Sequence, residues 1–118
     1  LIELLIVIAI IGILASIVLV SLNSARTKAQ VAGFKAAASS IVPAGLIECD
    51  DGAGTVMDAS GVAPLGVTII SGGDCNADGS FDQIVVNPTI IPPAPYAAAV
   101  ACNGTTLNPT GASYPTGC

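Results

Sequence analysis

The chain has 118 residues, 53% hydrophobic and 9% charged, with eight acids, three bases, no His and a formal net charge of −5. That length holds one small domain and one anchor at most, and the lack of His removes Ser-His and Cys-His catalysis. The only bases are Arg26, Lys28 and Lys35, so nothing from residue 36 onward supplies the electrostatic grip that general nucleic-acid binding needs.

Residues 1–22 read LIELLIVIAIIGILASIVLVSL, and the nineteen residues from 4 to 22 carry no charge. At ~1.5 Å per residue they match the ~30 Å hydrocarbon core of a bilayer. Apolar side chains fill nearly every position, so such a helix belongs in lipid, in a large core or among copies of itself. Glu3 is the exception, and an unpaired carboxylate in those surroundings is costly. The start, with neither Met nor a basic n-region, reads as a processed or trimmed chain rather than an intact secretory signal.

After Leu22 the composition shifts to SARTKAQVAGFKAAASS. Ala25, Ala29, Ala32 and Ala36 recur at spacings of four, three and four, a small-residue face expected to pack on the domain's own sheet. Arg26, Lys28, Gln30 and Lys35 occupy the other sides. The helix is expected to end near Ser40, before Pro43 and Gly45. The division is therefore a hydrophobic helix over 1–24, its amphipathic continuation over 25–42 and a β-rich head over 43–118.

In the head, residues 67–71 (VTIIS), 83–87 (QIVVN) and 97–101 (AAAVA) are short apolar runs bounded by Gly, Pro, Asn or Asp and are predicted strands. Residues 50–54, 71–80 and 103–117 are turn-rich. Pro88, Pro92, Pro93 and Pro95 confine residues 87–96 to an edge or an extended connection. The fold class is α+β, a long N-terminal helix on a small antiparallel sheet.

Cys49, Cys75, Cys102 and Cys118 all lie outside the apolar run, an even count that points to two disulfides in an oxidising compartment. Without His or a CxxC spacing, zinc is not supported. Three pairings are open; Cys49–Cys75 and Cys102–Cys118, which close short consecutive loops, are favoured. Asp74, Asn76, Asp78, Ser80 and Asp82 alternate with a Gly at position 79, as in the DxDxDG loops that bring hard oxygen ligands around calcium. Val85 stands where such a loop has its bidentate Glu, so a missing ligand would come from Asp50, Asp51 or Asp58. A plain polar hairpin turn fits the same residues. Calcium is the one candidate cofactor. Asn103-Gly104-Thr105 is an N-x-T sequon, and chance also produces such triplets. GxSxG, HExxH, P-loop and CxxCH patterns are absent, and the expectation is a protein that is not an enzyme.

Leu1-Ile2-Glu3-Leu4-Leu5 followed by a long apolar run resembles the N-terminus of mature type IV pilins and the related pseudopilins, which begin Phe-Thr-Leu-Ile-Glu-Leu after a leader is removed. By that match the chain starts two residues inside the mature N-terminus. The resemblance covers residues 1–22 closely and the remainder in plan alone. It implies a subunit held in the cytoplasmic membrane before assembly machinery draws it into a helical homopolymer on the bacterial surface. There Glu3 meets a neighbouring subunit's N-terminal amine. Gly12 corresponds to a glycine where such helices loosen in the filament, although Val20 and Ser21 stand where a proline is common. A major pilin is the first expectation and a pseudopilin of a type II secretion-like system the alternative. A single-span anchor bearing a binding domain is third, and leaves Glu3 without a role.

Overall fold

A computed structural model of the chain describes residues 1–52, 54, 63–89, 96 and 98–118. One helix, α1 (Ile2–Asp50), runs 49 residues. At ~1.5 Å per residue it accounts for most of the molecule's 79 Å long axis, against 26 and 20 Å across. Its first half is continuous α-helix through Gly12, Val20 and Ser21.

The predicted stop near Ser40 does not occur. Pro43 lies inside the helix, which continues through Gly45 to Asp50. An internal proline costs roughly 3 kcal/mol, and here packing and a disulfide together offset it. Phe34, Ala38, Ile41, Gly45 and Cys49 form one buried stripe at spacings of four, three, four and four, and Cys49 is bonded to Cys75 on the head. The alanine face is corrected too. Ala25, Ala29, Ala32 and Ala36 are exposed, because Ala36 follows Phe34 by two residues, about 200° around a helix with 3.6 residues per turn. The sheet takes the bulkier stripe.

The head is a four-stranded antiparallel meander in the order β1 (Val67–Gly72), β2 (Ile84–Pro88), β3 (Thr105–Asn108) and β4 (Gly111–Ser113). Val67 pairs with Pro88 and Gly72 with Ile84, with an irregularity between Ile69 and Ser71 that leaves Ile70 unpaired. Ile84 pairs with Leu107, and Leu107 with Ala112. Alternate residues of β2 and β3 point at the helix, so Ile84, Val86, Thr105 and Leu107 join Phe34, Ala38, Ile41 and Phe81 in the core. The ring of Phe34 meets Tyr96 edge to face, centroids 6.1 Å apart. Gly72 is required where it stands: its φ is +88°, and a Cβ there would lie 1.8 Å from the Gln83 carbonyl oxygen.

Two of the three predicted strands are present. Residues 98–101 are instead a turn leading into a 3-10 turn, Val100–Cys102, because Ala99 and Cys102 are drawn into the core. The interval 103–117, read as turns, contains β3 and β4. Asn87 and Pro88 end the inner strand β2, where proline's missing N–H is tolerated at a strand terminus. Pro92, Pro93, Pro95 and Ala97 lie outside the described residues.

Candidate functional site

Among the described residues, nothing packs against the apolar half of α1. Sixteen large aliphatic side chains between Leu1 and Leu22 are each more than half exposed. An 18-residue window of the helix has a mean hydropathy of 3.1 and none of it is buried, so by length and composition the helix can cross a membrane. At roughly 1–2 kcal/mol per side chain, the unburied driving force is on the order of 20 kcal/mol, and apolar patches this extensive mark membrane or protein contacts. One carboxylate in the span opposes insertion by only about 3 kcal/mol. Glu3 therefore does not prevent membrane residence. It also sits in the helix's first turn, where a negative charge complements the dipole.

Gly12 lies within unbroken helix, a Cβ there would meet nothing within 4 Å, and its carbonyl oxygen accepts a 2.7 Å bond from the Ser16 hydroxyl. This capture of a helix carbonyl by Ser is a local device that bends helices.

Polar ties fix where the helix enters the head. Lys35 Nζ donates to the Cys118 carbonyl oxygen at 2.8 Å and lies 5.1 Å from the Tyr114 ring centroid. The Tyr114 hydroxyl donates to the Lys35 carbonyl at 3.0 Å. Gln30 Oε1 accepts the Ala98 N–H at 3.0 Å. Gly33 leaves room for Tyr96, whose ring carbon would lie 3.0 Å from a Cβ at that position. Both favoured cysteine pairings are formed, Cys49–Cys75 and Cys102–Cys118, and no described cysteine is free.

The residues at 74–82 are brought together as a hairpin turn. Cys75 bridges to Phe81, Asn76 N–H donates to the Ser80 carbonyl at 2.7 Å and Asp82 N–H to the Asp74 carbonyl at 2.9 Å. The Asp78 carboxylate accepts both the Ser80 hydroxyl and the Ser80 N–H; these bonds hold its pKa below the ordinary carboxylate value. The Asn76 amide nitrogen donates to Ser80 Oγ and Asp82 Oδ1 at 3.2 and 3.3 Å. The bonds formed are those of the polar hairpin turn that the same residues fit. Asp78, Ser80 and Asp82 oxygens take part in hydrogen bonds within the turn, and among the described residues no group of three His, Cys, Asp or Glu side chains is placed to hold a metal ion. Asp50, offered as an extra ligand, is the last helical residue and lies against the turn, its Oδ1 3.6 Å from a Cβ at Gly79. Asp51 caps the helix, and Asp58 lies outside the described residues.

Asn103 is exposed on a turn, but the sequon's Thr105 is fully buried and its hydroxyl donates to the Cys102 carbonyl at 2.7 Å. Sequence reasoning did not foresee how the bridge at Cys49 gathers the acids of two distant segments at the end of the helix. The favoured pairing already carried that signal.

The fold and its exposed half define a class: a small disulfide-bonded α+β head on a helix of membrane-crossing length. Comparison with family models, with curated proteins and with solved structures gave no match.

Proposed function

We propose that the chain is the structural subunit of a type IV pilus-like filament on the bacterial surface, polymerising through the apolar half of α1. The supporting observation is that half itself: a helix apolar all round, exposed along its length, continuous with a head-clasped second half, and marked by a single acid at Glu3. Lipid holds such a helix before assembly, and copies of itself replace lipid afterwards. The exchange needs no net gain in hydrophobic burial, so specific polar contacts decide register. In the filament core Glu3 pairs with the N-terminal amine of a neighbour. Desolvation offsets much of that attraction, so the pair serves alignment more than stability.

Glu3→Ala tests the reading. Electron microscopy of purified chain after detergent removal should show long fibres for the wild type and a loss of at least tenfold in fibre mass for the variant, on the order of 1.4 kcal/mol or more per subunit addition. Fibres of wild-type length and number from Glu3→Ala would remove the assembly role of this residue. A simple membrane anchor would tolerate the change.

A further inference from the structure

The charges of the chain are sorted along its long axis. Arg26, Lys28 and Lys35, its three bases, lie on neighbouring turns just past the apolar half. Six of its eight acids, Glu48, Asp50, Asp51, Asp74, Asp78 and Asp82, gather at the far end of the helix, where Cys49–Cys75 draws the two acidic segments together. Between these ends, residues 36–47 and 83–118 contain no charged side chain. Lys28 and Asp50 are 22 residues apart on one helix, about 33 Å along its axis.

Two further observations bear on what meets each end. The last turn of α1 contains no base, so Glu48, Asp50 and Asp51 stand at the negative end of the helix dipole, where acids are destabilising and a cation is favoured. Beside Arg26 and Lys28, the strip Ala25, Ala29, Ala32 and Ala36 is exposed, with Ala32 at the edge of a shallow pocket shared with Gly117 and Cys118 of the head, and its short side chains allow another backbone to approach closely.

We propose that a second copy of this chain supplies the missing cation. The acidic end of one copy docks on the Arg26 and Lys28 neck of the next, parallel and staggered by about 33 Å. This rests on the filament reading above and concerns a different neighbour from the one whose amine meets Glu3, since that pair needs nearly level N-termini. Without stagger, parallel neighbours set acid beside acid and base beside base; the stagger substitutes opposite charges at both ends. In the same register, residues 4–14 of the advanced copy run beside the alanine strip of the other. Lys35 is engaged within its own subunit by the Cys118 carbonyl and Tyr114, which leaves the contact to Arg26 and Lys28.

The test uses full-length chain assembled by detergent removal. Light and isotopically heavy copies are mixed, then treated with a zero-length carboxyl-to-amine crosslinker. The expected product is a Lys28–Asp50 or Lys28–Asp51 link between light and heavy chains. Arg26→Glu with Lys28→Glu should cut the sedimentable fraction about tenfold at ~50 mM salt and less at ~500 mM, and adding Asp50→Lys with Asp51→Lys should restore it to within about twofold. All four positions are exposed, and circular dichroism checks that the head stays folded. Wild-type fibres without the crosslink, or neck reversal without effect on sedimentation, overturn the register and leave the filament reading standing. Wild-type chain that stays monomeric overturns both.

Discussion

Cutting the Cys49–Cys75 bridge should unwind the helix beyond Pro43. The bridge closes a separation of 26 residues, for which the loop-closure entropy removed from the unfolded chain corresponds to about 3.5 kcal/mol. Past Pro43 the helix buries Gly45 and Cys49, with Ala44 and Leu46 partly covered, which amounts to about 1–2 kcal/mol of hydrophobic stabilisation. The proline itself costs roughly 3 kcal/mol, so burial alone does not hold those turns. In the double variant Cys49→Ala, Cys75→Ala, residues 43–50, the last eight of 49, should fray. The far-UV helical signal should then fall by about one-sixth, and the head should melt roughly 15–25 °C lower, at 4–8 °C per kcal/mol for a domain of this size. Circular dichroism in detergent and amide hydrogen exchange at residues 44–50 are the assays. Undiminished ellipticity with those amides still protected would show that packing, not the bridge, carries the helix past its proline.

Two glycines of the chain should respond oppositely to Ala. Gly72→Ala drives a Cβ into the Gln83 carbonyl at a left-handed φ and should leave the head unfolded by circular dichroism, whereas Gly12→Ala meets open space and should strengthen the helix by about 1 kcal/mol; equal melting of both would refute the bulge geometry. The turn at 74–82 should melt with the head at equal midpoints in calcium and in chelator, because Asp78 and Asp82 already accept hydrogen bonds within it, and a higher midpoint in calcium would show that the ion displaces those bonds. Asp78 titrates low because Ser80 donates to its charged form, so its small contribution is present above the unfolded carboxylate value and fades as pH falls through the lowered folded one. Ser80→Ala should move its midpoint upward in an NMR titration, and an unmoved midpoint would discard the hydrogen-bond explanation.

How much of this was legible in the sequence depends on how loudly each residue speaks for itself. Residues 1–22 admit no amphipathic reading, so the exposed half of α1 followed from composition alone. VTIIS and QIVVN are β-branched runs between turn residues, and both are strands. Thr105–Asn108 and Gly111–Ser113 escaped because their inward positions are Thr105 and Leu107, too little apolar alternation to register beside Asn, Pro and Gly. Pro43 misled because local propensity is decided within one turn, whereas the Phe34 to Cys49 stripe and its bridge act across the fold. The turn at 74–82 had the right oxygens in the right order; which atoms they would satisfy was a matter of closure that spacing does not encode.

The ties at the two ends of the clasped half of α1 have a mechanical consequence. Lys35 and Tyr114 bind the helix to the residues around the Cys102–Cys118 loop, while Cys49 is joined covalently to the start of the hairpin at Cys75. Tension drawn along the helix axis thus enters the head through a covalent link rather than through the connecting chain. The noncovalent contacts from Phe34 to Ile41 are loaded in shear, side by side, instead of being peeled one at a time. A subunit built this way yields last at the junction where rod meets head.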